Sequence, residues 1–256
     1  MSERVTEAVI LMAGAGSRFQ RNGETRLKPL VPLAGQPLIS YMLETLADSG
    51  IETIHAVVGF ERDLLRRELE PLIPPQLNVR WVDNPHWRLK NGLSLLASAP
   101  QVQRPFLLTM ADHLFAATIV DLLIAEQRSG WLNVAIDRKI GSIFDLEDAM
   151  KVQTRGKQIV AIGKELKTYD AIDTGVFVCP PSFFRYLEQA KHNGDCSLAD
   201  GVQAMARDGL VRGIDIGPAW WQDVDTPEML ARAEEHLREN RRREERERVS
   251  ERALAR

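Results

Sequence analysis

The residues predict an α/β protein with a Rossmann-like, mostly parallel sheet sandwiched by helices. Three observations carry that prediction. Short strand-like runs recur at residues 8–12, 54–59, 78–82 and 106–110. Helix-patterned segments alternate with them, at 37–49, 61–72 and 91–98. The runs are short, mostly apolar and close on glycine or on polar residues, as buried parallel strands do. Alternation of this kind places helices on both faces of a sheet, with ligands at the carboxyl ends of the strands.

Each element has a local reason. The run 8–12 is continuous and ends in Ala13-Gly14-Ala15-Gly16-Ser17-Arg18. Pro37 opens the first helix, Gly50 ends it, and Leu38, Met42, Leu43 and Leu46 fall on one face. Pro74-Pro75 stops the second helix, and Asn91 is a sensible N-cap for the third. Residues 116–130 read as helix and 133–137 as a fifth strand. The rhythm then breaks. Alternating runs around Gly156 predict a hairpin, followed by a strand over 171–179, and the segment of about 138–170 reads as a β-rich lobe inserted at the open end of the sheet. Two more helices (181–191 and 197–207) and a strand (211–216) lead to Trp220-Trp221-Gln222-Asp223-Val224-Asp225-Thr226-Pro227, where Pro227 starts a final helix. The expected organisation is one domain over 1–233 and a charged helical or disordered tail over 234–256, with Glu239–Arg243 and Glu244–Arg248 spaced for helix ion pairs.

Composition narrows the function classes. The chain has 256 residues, 44% of them apolar, and a net charge of −3. That balance gives no global attraction to nucleic acid or to an anionic membrane, and glutamates interleave the arginines of the tail. Cys179 and Cys196 lack metal-ligand spacing and read as buried fillers in a reducing compartment. Met1–Glu7 is charged and runs straight into the first strand, so no signal peptide is expected. No apolar stretch reaches the ~20 residues of a membrane span. The expectation is a cytoplasmic protein; nothing in the residues speaks to oligomeric state.

The chemistry concentrates after the first strand. Glycines let backbone N–H groups approach a phosphate closely. Arg18 adds a planar fork of donors and Lys28, just before Pro29, a compact charge. A dinucleotide loop would want a third glycine where Phe19 stands, and a Walker loop would want Gly-Lys-Ser/Thr. Residues 12–17 (Met12, Ala13, Gly14, Ala15, Gly16, Ser17) with Arg18 and Lys28 are the candidate triphosphate site. Asp112, at the carboxyl end of the fourth strand, is a natural Mg²⁺ ligand and also an ordinary helix cap. Asp223 and Asp225 alternate, so both leave one face of an extended segment, and one of them joins Asp112 at the metal. Asn84, Asn91 and Ser94 have the short amides and hydroxyl to bond a base edge. Lys151 and Lys164 in the lobe are candidates for an acceptor's phosphate, or plain surface charges; Asp173 and Thr174 are candidates for its hydroxyls or for the phosphate edge.

Gly14-x-Gly16-Ser17-Arg18 followed by Lys28-Pro29 resembles the signature loop of nucleotidyltransferases that join an NTP to a phosphorylated small molecule. Met110-Ala111-Asp112-His113-Leu114-Phe115, Asp145-Leu146-Glu147-Asp148-Ala149 to Lys151-Val152, Ile162-Gly163-Lys164, Asp173-Thr174-Gly175-Val176-Phe177 and residues 221–228 narrow this. Together they resemble the inositol-1-phosphate cytidylyltransferases, over about residues 9–228; Ala111 stands where that family often has Ser. The resemblance implies a nucleotidyltransferase fold of GT-A-like type. It implies CTP and Mg²⁺ as ligands, and transfer of CMP to a phosphorylated polyol with release of pyrophosphate. Arg18 and Lys28 would be catalytic, and the helix start Asn91-Gly92-Leu93-Ser94 would face the pyrimidine. The family often carries a fused membrane CDP-alcohol phosphotransferase domain, so association with such a partner is implied as well. A cytidylyltransferase for choline phosphate, a phosphonate or a sugar phosphate, and an inactive nucleotide-binding module, are the rival readings.

Overall fold

The computed structural model describes residues 4–16 and 27–254. Ser17 and Arg18 therefore lie outside the described residues.

The first half alternates as its pattern requires. Strand β1 (Glu7–Leu11) is followed by a two-residue hairpin, β2 (Pro32–Leu33) and β3 (Gln36–Pro37), and by α1 (Leu38–Asp48). Then come β4 (Thr53–Val58), α2 (Arg62–Leu69), β5 (Asn78–Asp83), α3 (Asn91–Ser98) and β6 (Phe106–Met110). Next are β7 (His113–Phe115), α4 (Ala117–Glu126) and β8 (Leu132–Asp137), then the hairpin of β9 (Lys151–Arg155) and β10 (Gln158–Gly163). The chain closes with β11 (Ala171–Cys179), α5 (Phe183–Ala190), α6 (Leu198–Arg207), β12 (Val211–Asp215), β13 (Trp221–Asp223) and α7 (Pro227–Leu254).

Nine strands form one sheet in the order β5-β4-β1-β6-β11-β8-β12-β10-β9. The pairs β5–β4, β4–β1, β1–β6 and β8–β12 are parallel, whereas β11 is antiparallel to both of its main neighbours. The continuous apolar character of β1 now has its cause: both faces are covered. Val9 and Leu11 enter a core layer with α3, α5 and α6, while Ala8 and Ile10 enter the layer with α1, α2 and α4. Fully burying one such side chain stabilises by about 1.5–3 kcal/mol.

The predicted lobe is built into the sheet. β10 pairs with β12, β9 with β10, and β9 also with the start of β11, so the hairpin forms the sheet's edge. Its strands are short and half-polar, but backbone pairing to β12 and β11 supplies partners that no periodicity announces.

The last helix runs on into the charged segment. α7 is continuous from Pro227 to Leu254. Leu230, buried Ala233 and Leu237 pack with Val31, Leu33, Leu38, Leu114 and Val224. His236 stacks on Trp220 with ring centroids 3.9 Å apart, and Arg241 Nη2 donates to the Tyr41 hydroxyl at 3.3 Å. The early part of the charged segment, around Leu237 and Arg241, is therefore docked. A few apolar residues suffice because the groove beside α1 and β2 is already apolar.

Candidate active site

Three chain segments far apart in sequence meet at the carboxyl edge of the sheet. Past β1, Met12 N–H donates to Val57 C=O and Ala13 C=O accepts from Phe60 N–H, so both residues are buried continuations of the strand. The turn then bends back over Lys28. Gly16 has φ +58°, and a Cβ there would stand 2.8 Å from Lys28 Cβ, so the close approach requires glycine. At Gly14 a Cβ would meet nothing within 4 Å. Gly14 and Gly16 line a notch of about 140 Å³ together with Met12, Lys28, Pro29 and Asp112.

Lys28 opens a one-turn 3₁₀ helix (Lys28–Leu30). Its Nζ donates to Asp112 Oδ2 at 2.6 Å and also to Asp225 Oδ1. These partners are 84 and 197 residues away in sequence. The two acids are brought together by a two-stranded ribbon outside the main sheet. β7 pairs antiparallel with β13, setting His113 opposite Asp223, and Val224 N–H donates to Asp112 C=O at 2.9 Å. Thr226 then caps α7, its Oγ1 accepting from Met229 N–H at 3.2 Å, which fixes the turn carrying Asp225.

The electrostatics follow from crowding. Burial alone would raise the Asp112 carboxyl, but the Lys28 charge and the His113 Nδ1 hydrogen bond at 2.6 Å hold it well below the usual carboxylate range. Burial works against Lys28 too, and the Asp112 and Asp225 charges outweigh it, so its pKa is raised. Asp223 is pushed up, first by burial and then by the charges of Asp225 and Asp112. His113 is raised against the effect of burial by Asp112 and Asp223. The centre is thus one cation shared between carboxylates that crowd one point.

On the far side of Asp112 lies a larger cavity of about 540 Å³. Asp112, Asp223 and Asp225 form part of its wall, Lys164, Asp173 and Phe144 another part, and Trp220, Trp221 and Arg232 a third. Asp112 is therefore common to the notch and the cavity.

Because β11 runs against β6 and β8, its first residues, not its last, reach this edge. A bulge between Asp173 and Phe177, with Gly175 at φ +73°, turns Asp173 into the cavity. A Cβ at Gly175 would come within 2.3 Å of His113 Nε2, so glycine also makes room for that ring. Asp173 Oδ1 accepts from Gly175 N–H at 2.8 Å, yet burial pushes its pKa up to about 6. A carboxyl raised from its ordinary value near 3.8 favours folding most fully below that value and loses the contribution as pH rises through about 6. Asp173→Asn is therefore expected to be more stable than the parent at pH 8, by about 1–3 kcal/mol, and to melt higher there, with the gap closing near pH 4. Thermal melts at the two pH values test this, and an equal or lower melting point at pH 8 would refute it.

Several expected site residues have other work. Thr174 is fully buried, and its Oγ1 donates to Ala135 C=O at 3.0 Å, because the bulge turns it away from the cavity. Lys151 is buried too: its Nζ donates to Lys164 C=O at 2.7 Å and Glu147 C=O at 3.2 Å, closing the turn before β9. Lys164 does line the cavity, paired with Asp148. Asn84 Nδ2 donates to Ser94 Oγ at 2.9 Å and Asn84 Oδ1 accepts from His86 N–H, so this buried pair serves itself. Asn91 is the first residue of α3, not its N-cap, which is Lys90; it borders the cavity, and its Oδ1 accepts from Leu198 N–H at 2.9 Å. Gly92 is set by packing, since a Cβ would stand 2.5 Å from Cys196 C=O.

Other residues were missed in the sequence. Asp137, at the end of β8, is buried and accepts from Lys139 Nζ at 2.8 Å and from Trp221 Nε1 at 2.9 Å. Lys139 Nζ also donates to Gly217 C=O at 2.6 Å, strapping the segment before β13 to β8. An acid at a strand's carboxyl end was the available signal, and it is the same one that marked Asp112.

The model of the MobA-like NTP transferase domain matches residues 8–199. The chain belongs to that family. The match spans the glycine turn, Lys28 and Asp112, and stops before β13 and α7. Two relatives match more of the chain. The "Bifunctional IPC transferase and DIPP synthase" of Thermococcus kodakarensis is 31% identical over 238 residues, 90% of this chain and 50% of the relative. The protein of the same name from Rubrobacter xylanophilus is 33% identical over 230 residues, 89% of this chain and 51% of its own. The chain thus spans about half the length of these curated relatives. Among solved structures, the inositol-1-phosphate CTP transferase of T. maritima superposes with a TM-score of 0.79 at 27% identity, covering 92% of this chain and 98% of that one. A UDP-glucose pyrophosphorylase at 17% identity and a TM-score of 0.73 shares the nucleotidyltransferase fold.

Proposed function

We propose that this member of the MobA-like NTP transferase family transfers CMP from CTP to inositol 1-phosphate, releasing pyrophosphate and forming CDP-inositol. The observation that carries a two-substrate transfer is that Lys28 and Asp112 sit where a phosphate-sized notch over the glycine turn adjoins the larger cavity. The choice of CTP and inositol 1-phosphate is supported by the named relatives and by the T. maritima structure.

The triphosphate lies in the notch and the acceptor in the cavity. The acceptor's phosphomonoester is largely dianionic near neutral pH, with a second pKa of ~6, so no general base is needed. The chain's task is alignment and charge neutralisation. Lys28 stabilises negative charge growing at the α-phosphate, and Arg18, outside the described residues, holds the pyrophosphate side. Lys164, in the cavity wall, adds positive charge near the acceptor, and Asp173 accepts from its hydroxyls.

The donor set fits Mg²⁺: Asp112 and Asp225 converge on the one point now held by the Lys28 ammonium, and Asp223 borders the same wall. Mg²⁺ takes one or two carboxylates and completes its shell with phosphate oxygens and water. When bound there it would supply charge neutralisation on phosphate oxygens.

Choline phosphate is the rival acceptor. Phe144, Trp220 and Trp221 do line the cavity, but Arg232 covers the Phe144 face at 4.3 Å, His236 stacks on Trp220, and Trp221 is turned to Asp137. Rings so occupied make a poor cage for a quaternary ammonium. Pyrophosphate release with CTP, Mg²⁺ and a panel of inositol 1-phosphate, choline phosphate, a phosphonate and glucose 1-phosphate decides the matter. Inositol 1-phosphate is expected to lead in kcat/KM by at least about tenfold. A different leader would replace the acceptor, and tight CTP binding without release on any acceptor would favour a nucleotide-binding module.

No helix among the described residues is long and apolar enough to cross a membrane. Association with a membrane CDP-alcohol phosphotransferase that consumes the product is part of the proposal. A cytoplasmic location follows from the same reading.

A further inference from the structure

We infer that Arg232, on the second turn of α7, is the acceptor-phosphate anchor that sets the requirement for a phosphorylated acceptor. The inference deepens the proposed function and rests on it.

Seven aspartates line the cavity, against three lysine or arginine side chains among the described residues: Lys139, Lys164 and Arg232. A dianionic acceptor entering that field needs a cation whose charge is not already committed. Lys139 holds Asp137 and Lys164 holds Asp148. Among the described residues no carboxylate pairs with Arg232; its guanidinium lies instead over the Phe144 ring, 4.3 Å from the centroid. Turning to a phosphate therefore breaks no ion pair. A guanidinium resting over a ring keeps its N–H donors uncommitted, and their planar fork can grip a phosphate with two parallel hydrogen bonds.

The helix makes the position firm. Met229 and Arg232, three residues apart, share the face that borders the cavity, while Leu230, Ala233 and Leu237 seat the adjoining face in the core. Phe144 is one of two large apolar side chains strongly exposed among the described residues, at 48%. Its exposure has a use if its ring is a platform for the guanidinium.

Steady-state kinetics on Arg232→Ala, Arg232→Lys and Phe144→Ala, with CTP and inositol 1-phosphate varied separately, test the assignment. Arg232 and Phe144 are both exposed, so the variants are expected to fold, with circular dichroism as the check. Arg232→Ala is expected to raise KM for inositol 1-phosphate at least about tenfold, with KM for CTP unchanged within about twofold. Arg232→Lys should recover part of the loss, and Phe144→Ala should raise the same KM by a smaller factor. Wild-type turnover with an unchanged acceptor KM in Arg232→Ala overturns the anchor and leaves the function standing. Absence of pyrophosphate release by the wild type on every phosphorylated acceptor overturns both.

Discussion

Lys28→Ala is expected to lower kcat at least about a hundredfold at saturating CTP, while the fold persists. A cationic donor aimed at charge that grows in the transition state is worth about 3–4 kcal/mol, a factor of several hundred. Lys28 is placed for that task by three features at once: the Gly16 turn lies against its Cβ, Asp112 and Asp225 hold its ammonium, and it lines the notch. Its charge is secure at any working pH, since the two carboxylates raise its pKa against the opposing effect of burial. Stability should suffer less than turnover. Asp112 and Asp225 lose a shared partner, but Asp112 keeps His113 Nδ1 at 2.6 Å. Near-normal kcat in single-turnover and steady-state assays would remove Lys28 from the chemistry.

Asp112→Asn is expected to cost at least as much, and to do so by a different route. If Asp112 served only to steady Lys28, adding Asp112→Asn to Lys28→Ala would change nothing further. If it holds Mg²⁺, the double variant loses activity again and, like Asp112→Asn alone, needs more Mg²⁺ for half-maximal rate than Lys28→Ala. The single Lys28→Ala variant should show no such increase. Direct Mg²⁺ binding by calorimetry in the presence of CTP is the companion measurement. Equal Mg²⁺ affinity in Asp112→Asn and wild type would dismiss the carboxylate as a ligand. Asp225→Asn should behave alike, because both oxygens converge on one Lys28 Nζ.

The chain's local signals settled the framework. Continuous apolar strands such as β1 arise from a sheet covered on both faces, so β1, β4, β6, β8 and β11 were legible from composition and length alone. So were the chemical types at the strand ends: Gly14 and Gly16, Lys28, Asp112, Asp223 and Asp225. Each sits next to a strand or helix boundary, where periodicity stops and a polar or flexible residue stands out.

What the linear order could not supply was partnership. That Lys28 meets acids 84 and 197 residues away depends on the small β7–β13 ribbon, three residues a side, too short to leave a pattern. Asn84 and Ser94 looked like base readers because a short polar side chain near a strand end looks the same whether it faces a ligand or its neighbour. Only burial shows that they bond each other. Lys151 and Lys164 were indistinguishable as lysines, yet one caps three-dimensional carbonyl geometry and the other lines the cavity. Arg232 carried no signal at all within a run of charged helix. Secondary structure follows from interactions among near neighbours, which sequence displays directly; a site is made by side chains from distant segments, and their meeting is decided by packing.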